Sequence, residues 1–331
     1  MQRAPMQLGI HVVLLTCLFA CSRTEAAVPH GGALDGNRPR VIVTTDIGGS
    51  DPDDFQSLVH LLFYADVLDV EGVISSPPGG GRVEDVSEVM DAYAKDYPNL
   101  KAHANEYPDV ETFRRVVKQG AIEKSPPQGW SEPTDGSQWI IQRAREDDSR
   151  PLWVLVWGSI TDVAQAVHDD PSIKSKLRVY SIGSWNTSQD RAARDYLFNN
   201  HADLWWIESD TTFRGMYMGG GQEEEWGNRS FVELHVKGHG SLGNLFFEKK
   251  RDIKMGDTPS LLFLLEGDPD EPAGPHWGGA FLTTGHGEHY WHDDPDEGLS
   301  INGRAGAKTV NRWRRDYLED WRRRMDRAIK P

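Results

Sequence analysis

The sequence predicts an α/β protein: a single domain on a mostly parallel sheet, with helices on both faces. Three observations carry this expectation. Short β-branched or apolar runs alternate along the chain with apolar stripes at helical spacing, the pattern of strands joined by crossover helices. Leu152 to Trp157 (LWVLVW) is apolar at every position, as a strand buried on both faces must be. Val41 to Leu62 reads as a strand, a glycine turn and a helix, with carboxylates gathered in the turn, and in a doubly wound sheet that edge is where ligands sit.

In chain order, residues 1–21 read as a signal segment. Arg3 precedes the apolar run Leu8 to Ala20, which is too short to span a bilayer, and Leu18 to Cys21 (LFAC) has the form of a lipobox. The expectation is an exported protein, anchored through a lipid on Cys21 or released to the periplasm or beyond. Cys17 and Cys21 are the two cysteines, so the rest of the chain carries no disulfide and depends on its core. Residues 22–38 read as a tether and 39–331 as the domain. A net charge of −15 repels polyanions, which sets nucleic acid aside as a partner. The sequence leaves oligomeric state open, a homo-oligomer included.

Within the domain, Val41 to Val43 begins the first strand, and Phe55, Leu58, Val59 and Leu62 mark the helix behind it. Asp69 to Ser75 is a second strand, followed by a helix through Val86, Val89, Met90 and Tyr93. A helix near Val110 to Val117, a Pro/Gly-rich loop and a helix near Ser137 to Arg145 lead to the strand at Leu152. A helix through Val163 to Val167, strands at Val179 to Ile182 and Leu204 to Ile207, an apolar helix after Asp257 and a C-terminal helix (Trp313, Tyr317, Trp321, Met325) complete the reading.

Asp46, Asp51, Asp53 and Asp54 crowd one turn. Like charges this close raise one another's pKa values and cost stability unless a cation or ordered donors compensate. A hard cation such as Ca²⁺ answers that need, taking roughly six to eight oxygens at about 2.3–2.6 Å. Helix capping accounts for Asp53 or Asp54 alone, and leaves Asp46 at the strand end unexplained.

The stretch TDIGGSDPDDFQSLV resembles the aspartate fingerprint of nucleoside hydrolases, and more closely a nucleoside hydrolase-like family labelled cellulose-binding. Thr44 replaces that fingerprint's first aspartate, and the loop before Asp53 is longer. Trp157 to Ala166 (WGSITDVAQA) is similar to the segment whose backbone carbonyl binds calcium, placing Trp157 in that role. Leu197 to Asp203 (LFNNHAD) is similar to the segment whose asparagine holds ribose hydroxyls, which points to Asn199. Gly256 to Leu261 (GDTPSL) resembles the stretch that gives a late aspartate to calcium, here Asp257, although N-capping is a sufficient bland account of it. Gly256 stands where that stretch has a histidine, so the usual leaving-group acid is missing, with His239 and His276 as the first substitutes to consider.

The resemblance implies a Rossmann-like, calcium-dependent hydrolase of N-glycosidic or related bonds. Asp46, Asp54, Asp257 and the Trp157 carbonyl would hold Ca²⁺. Asp46 would act as base, and Asp53, Asn186 and Asn199 would bind a sugar or nucleoside substrate. Two alternatives stand beside it: a calcium-containing carbohydrate-binding protein without turnover, and a structural calcium protein of the envelope. A further cluster, His286, His289 and His292 among acids, suggests a transition metal, but its irregular spacing favours a solvated loop with imidazoles paired to Asp293 or Asp294.

Overall fold

The computed structural model describes residues 38–49, 51–76 and 82–329, together with Met1. The signal, lipobox and most of the tether lie outside the described residues. Among those described, no helix is long and apolar enough to cross a membrane.

The chain opens with β1 (Arg40–Thr45), α1 (Asp53–Phe63), β2 (Asp69–Ser75) and α2 (Val83–His103). Then come α3 (Val110–Arg115), β3 (Val117–Gln119), α4 (Asp135–Ala144), β4 (Leu152–Val156) and α5 (Thr161–Asp169). β5 (Leu177–Ile182), α6 (Trp185–Gln189), α7 (Arg191–Asn200) and β6 (Trp206–Ser209) follow. The last part holds α8 (Asn228–Phe231), α9 (Gly240–Lys249), α10 (Thr258–Leu265), β7 (Phe281–Thr283), β8 (Tyr290–Asp293), α11 (Ala307–Asn311) and α12 (Arg314–Met325).

The strands form one sheet in the order β3-β2-β1-β4-β5-β6-β8-β7. Every pairing is parallel except β7 with β8. The strand order reverses direction between β1 and β4, which opens a crevice at their carboxyl ends. Side-chain alternation sorts the core into two layers. Val41, Val43, Val73, Leu155 and Tyr180 face the layer that holds α1, α2, α9, α10 and α12. Ile42, Ile74, Val154, Val156 and Val179 face α4, α5 and α7. Because both faces are covered, β1 and β4 are buried throughout, which is why their sequences lack polar alternation.

The expected strands recur with small shifts, and β2 spans Asp69–Ser75 as read. Three differences matter. Val117, expected to end a helix, instead starts β3, paired with Val73. The strand expected at Leu204 begins at Trp206. The histidine-rich segment is not a solvated loop throughout, because Tyr290–Asp293 adds to the sheet beside β6. Its His292 pairs with Asp210 at 3.1 Å, not with Asp293 or Asp294. Asp293 instead accepts the Asp210, Thr211 and Thr212 amides.

His60, on the buried side of α1, packs against Tyr64 (ring centroids 4.8 Å) and Trp321 (5.0 Å). Burial, with a smaller effect from Arg324, pushes its pKa down to about 3 from 6.5. The unfolded chain therefore takes up this proton first as pH falls below 6.5, and stability drains between 6.5 and 3. From this group alone the slope approaches about 1.4 kcal/mol per pH unit. Unfolding of wild type and His60→Phe followed from pH 7 to 4 should show the two curves separating, with the variant less acid-sensitive. Parallel curves would mean that His60 does not titrate this way.

Candidate metal and substrate crevice

The crevice is built where β1 ends. Thr45 closes the strand, and its hydroxyl accepts the Ile47 amide at 3.1 Å while donating to the Asp54 carboxylate. A turn follows, in which Gly49 N–H bonds the Asp46 carbonyl at 2.9 Å, with Gly48 at φ +89°. Pro52 precedes the first turn of α1, and no side chain caps this helix. Asp53 and Asp54 therefore stand at a helix start without serving as its cap.

A second wall reaches the same place through α1. Fully buried Gln56 receives the Lys254 and Met255 amides (3.0 and 3.2 Å) and donates to the Lys250 and Asp252 carbonyls (3.2 and 3.0 Å). This clamp binds the 250–255 loop to α1 and delivers Asp257. Asp257 makes no cap bond to α10 and instead meets Ser57 Oγ at 3.4 Å. The capping account of Asp257 thus gives way to one in which its carboxylate faces the other acids.

Ligand oxygens of Asp53, Asp54 and Asp257 lie within 4.8 Å of one another, the one such group of possible metal ligands among the described residues. Asp46 stands outside this trio, with Asp54 close enough to influence its carboxylate. Burial, then neighbouring acids, hold Asp54 and Asp257 well above the usual carboxylate range. Burial likewise raises Asp46, and it lifts Asp53 to about 6 against the pull of Lys254. Four acids, two buried and two half-buried, that resist ionising together fit a divalent cation, and an all-oxygen donor set fits a hard one. The arrangement also draws Asp53, expected to hold a substrate hydroxyl, into the metal-capable trio.

Trp157 lines the crevice, its indole N–H on Ser260 Oγ at 2.8 Å. Its carbonyl accepts Asn186 Nδ2 at 2.6 Å, and the other Asn186 contact is to the Ile182 carbonyl at 3.2 Å. Asn186 therefore fixes the carbonyl expected to face the cation, and its own Oδ1 is the atom left for a ligand. Asn199 is elsewhere: α7 runs back against the strand direction, so its last turn lies near the opposite edge of the sheet, where Asn199 is exposed. His239 lies beside Asp326 at 3.4 Å, and His276 is stacked on Phe263 at 4.0 Å. Neither reaches the crevice, and no described histidine lines it. Thr44 is buried and outside the lining.

The cavity, about 240 Å³, is completed by Trp185, which follows a strand end as Asn186 does, and by residues the sequence did not single out: Phe213, Arg214, Tyr217 and Lys254. Lys254 pairs with Asp51 and lies 3.9 Å from Asp53. Trp185 is 63% exposed at the rim. Gln56 carried the one readable signal, a polar residue inside the apolar face of α1.

Gly158 shows how tightly the strand ends pack, since a Cβ there would lie 2.8 Å from the Asp46 amide nitrogen and 3.0 Å from the Ser76 carbonyl. Backbone atoms cannot yield as a flexible side chain can. Gly158→Ala should cost about 1–3 kcal/mol, as other overpacked sites do, and displace Asp46. Denaturant unfolding checks the cost, and a midpoint equal to wild type would show that β1 can give way.

The model of the family described as cellulose-binding Sde182, nucleoside hydrolase-like domain, matches residues 40–281. A solved nucleoside hydrolase-related protein from Saccharophagus degradans, described as associated with carbohydrate metabolism, is 28% identical with a TM-score of 0.71; the match covers 89% of this chain and 72% of that one. The effector protein XOO4466 (10% identity, TM-score 0.54, 90% and 97% covered) and a plant nucleoside hydrolase, PpNRh1 (13%, 0.50, 88% and 99%), share the fold. No curated protein matches the chain.

Proposed function

Because the chain belongs to the cellulose-binding Sde182, nucleoside hydrolase-like family, we propose that it is a calcium-dependent hydrolase of N-glycosidic or related glycosidic bonds. The observation that carries the reading is the trio Asp53, Asp54 and Asp257, convergent within 4.8 Å at the crevice and free of capping duty. These three, with the Trp157 carbonyl, would hold the cation. When bound, such an ion lowers the pKa of a water and binds sugar hydroxyls.

The chain's own groups supply the rest. Asp46, beside the trio yet outside it, accepts the proton of the water that attacks the anomeric carbon. Asn186 Oδ1 offers an acceptor for a sugar hydroxyl. Departure of the leaving group is the weak point. A Cβ on Gly256 would lie 3.0 Å from Asp53 Oδ2 and 3.5 Å from the Phe213 ring, so a larger side chain there would press on the Asp53 carboxylate. Tyr217 and Lys254 are the lining groups with a proton to give; burial raises the Tyr217 pKa, and for Lys254 burial pulls downward but the Asp51 and Asp53 carboxylates outweigh it and raise the ammonium's pKa. The enzyme should therefore favour leaving groups that depart without a proton.

A panel of nitrophenyl glycosides and natural nucleosides, assayed with calcium, tests this. The expected result is multiple turnovers on nitrophenyl substrates and slower cleavage of nucleosides. The missing imidazole favours a second reading, a carbohydrate-binding protein without turnover. Saturable sugar binding with no product from any member of the panel would establish that reading instead.

A further inference from the structure

Arg214 stands apart from the other buried or half-buried arginines. Arg40 spends its fork on Glu71 at 2.7 and 2.9 Å, and Arg194 spends its on Glu208. Arg314 is satisfied by the Met216 and Trp226 carbonyls and Asn228. Arg214 donates only to two neutral hydroxyls, Tyr217 Oη at 3.0 Å and Ser184 Oγ at 3.3 Å. Its Nε is buried without a partner, and no carboxylate among the described residues pairs with it. Yet it lines a crevice with five aspartates.

An arginine beside so many acids would ordinarily swing onto one of them. This one is held off. The Phe213 ring lies 4.9 Å from its guanidinium carbon, and the Ser184 hydroxyl fixes one end of the fork. Ser184 itself sits at φ +59°, ψ −106°, a conformation costly for a residue with a side chain, and its amide is tied to Asp210 Oδ1 at 2.6 Å. Asp51, on the same crevice wall, pairs through Oδ2 with Lys254 rather than with Arg214. The turn thus maintains a guanidinium with unused N–H donors on the crevice wall, the geometry that grips a carboxylate or phosphate.

We propose that Arg214 makes this crevice selective for sugars bearing an anionic group, a uronate carboxylate or a sugar phosphate, with the anion on the guanidinium and the ring toward the aspartates. The proposal rests on the reading that a sugar occupies the crevice. It does not require that the sugar be cleaved.

Calorimetry with calcium present compares two pairs, glucuronate with glucose and ribose 5-phosphate with ribose. At least one acid should bind about tenfold or more tighter than its neutral partner, the scale of a charge-assisted contact. The pair that shows the preference identifies carboxylate or phosphate. In Arg214→Gln the acid-to-neutral ratio should collapse toward one, while Arg214→Lys, which keeps the charge and loses the fork, should retain part of it. In wild type, without any variant, the ratio should shrink as salt rises. Equal binding within both pairs, or a preference undiminished in folded Arg214→Gln, overturns the proposal and leaves the carbohydrate reading standing. Failure of all four sugars to bind overturns both. Absence of turnover in the hydrolysis panel touches neither.

Discussion

Asp54→Asn should erase the stabilisation that calcium gives to the wild-type protein. A cation that binds only the folded chain adds about 2.7 kcal/mol at a hundredfold excess over Kd. For a domain of this size that is a rise in Tm on the order of 5 °C. Asn keeps an Oδ1 to accept the Thr45 hydroxyl, so the local fold is preserved. The charge is what disappears. In chelator the sign should reverse: burial first, then Asp46 and Asp257, raise the Asp54 pKa, so removing its charge relieves both the desolvation and the repulsion, and the variant should melt at or above wild type. Thermal melts of both proteins, in calcium and in chelator, provide the four measurements. Identical wild-type curves with and without calcium would leave the trio without a cation role. A shift that survives in the variant would put the ion elsewhere, and a larger shift with magnesium would correct the choice of metal.

The sheet was legible where burial is complete. β1 and β4 are buried at every position, with helices on both faces, and an apolar run of strand length has few other readings; β2 and β5 are buried over their second halves. The edge and near-edge strands were not. β3 is three residues long, and Tyr290–Asp293 (YWHD) joins the sheet only through pairing with β6, some eighty residues earlier in the chain. No local pattern encodes such pairing. Glu208, polar within β6, is buried because Arg194 and the Tyr290 hydroxyl claim it, another partnership that sequence distance hides.

The site divides in the same way. Asp46, Asp53 and Asp54 were readable because adjacent like charges in one turn need a physical reason, and Asp257 because a resemblance added one. Asn186 was placed by its position at a strand end. Asn199 was placed by likeness of a short segment alone, and the direction of α7 carries it away. Lys254, Arg214 and Tyr217 were invisible because each reaches the crevice from a loop held by distant contacts. Gln56, which secures the Lys254 loop, shows in the sequence only as a polar residue among the apolar positions of α1, and its four bonds to a distant loop do not show there. Acids gather in sequence, whereas the cations and hydroxyls that surround them are gathered by the fold.

Asp46→Asn carries the largest expected effect, a fall in turnover of roughly 10²–10⁴-fold, the range lost with a general base. Asp46 is placed for that role by its separation from the trio: it lines the same crevice and Asp54 influences its carboxylate, yet it does not belong to the set within 4.8 Å. An amide cannot take the proton from water at neutral pH, but it can occupy the same volume beside Gly49 and Gly158. The fold and the calcium shift should therefore both survive, which separates this variant from Asp54→Asn. The loss should fall on kcat more than on KM, because proton acceptance matters at the transition state more than in the bound substrate. The measurement is steady-state cleavage of the best nitrophenyl glycoside by both variants, alongside melts in calcium. Undiminished turnover in Asp46→Asn would remove Asp46 as the base. Loss of turnover together with the calcium shift would make Asp46 a metal ligand first, and its separation from the trio of no consequence.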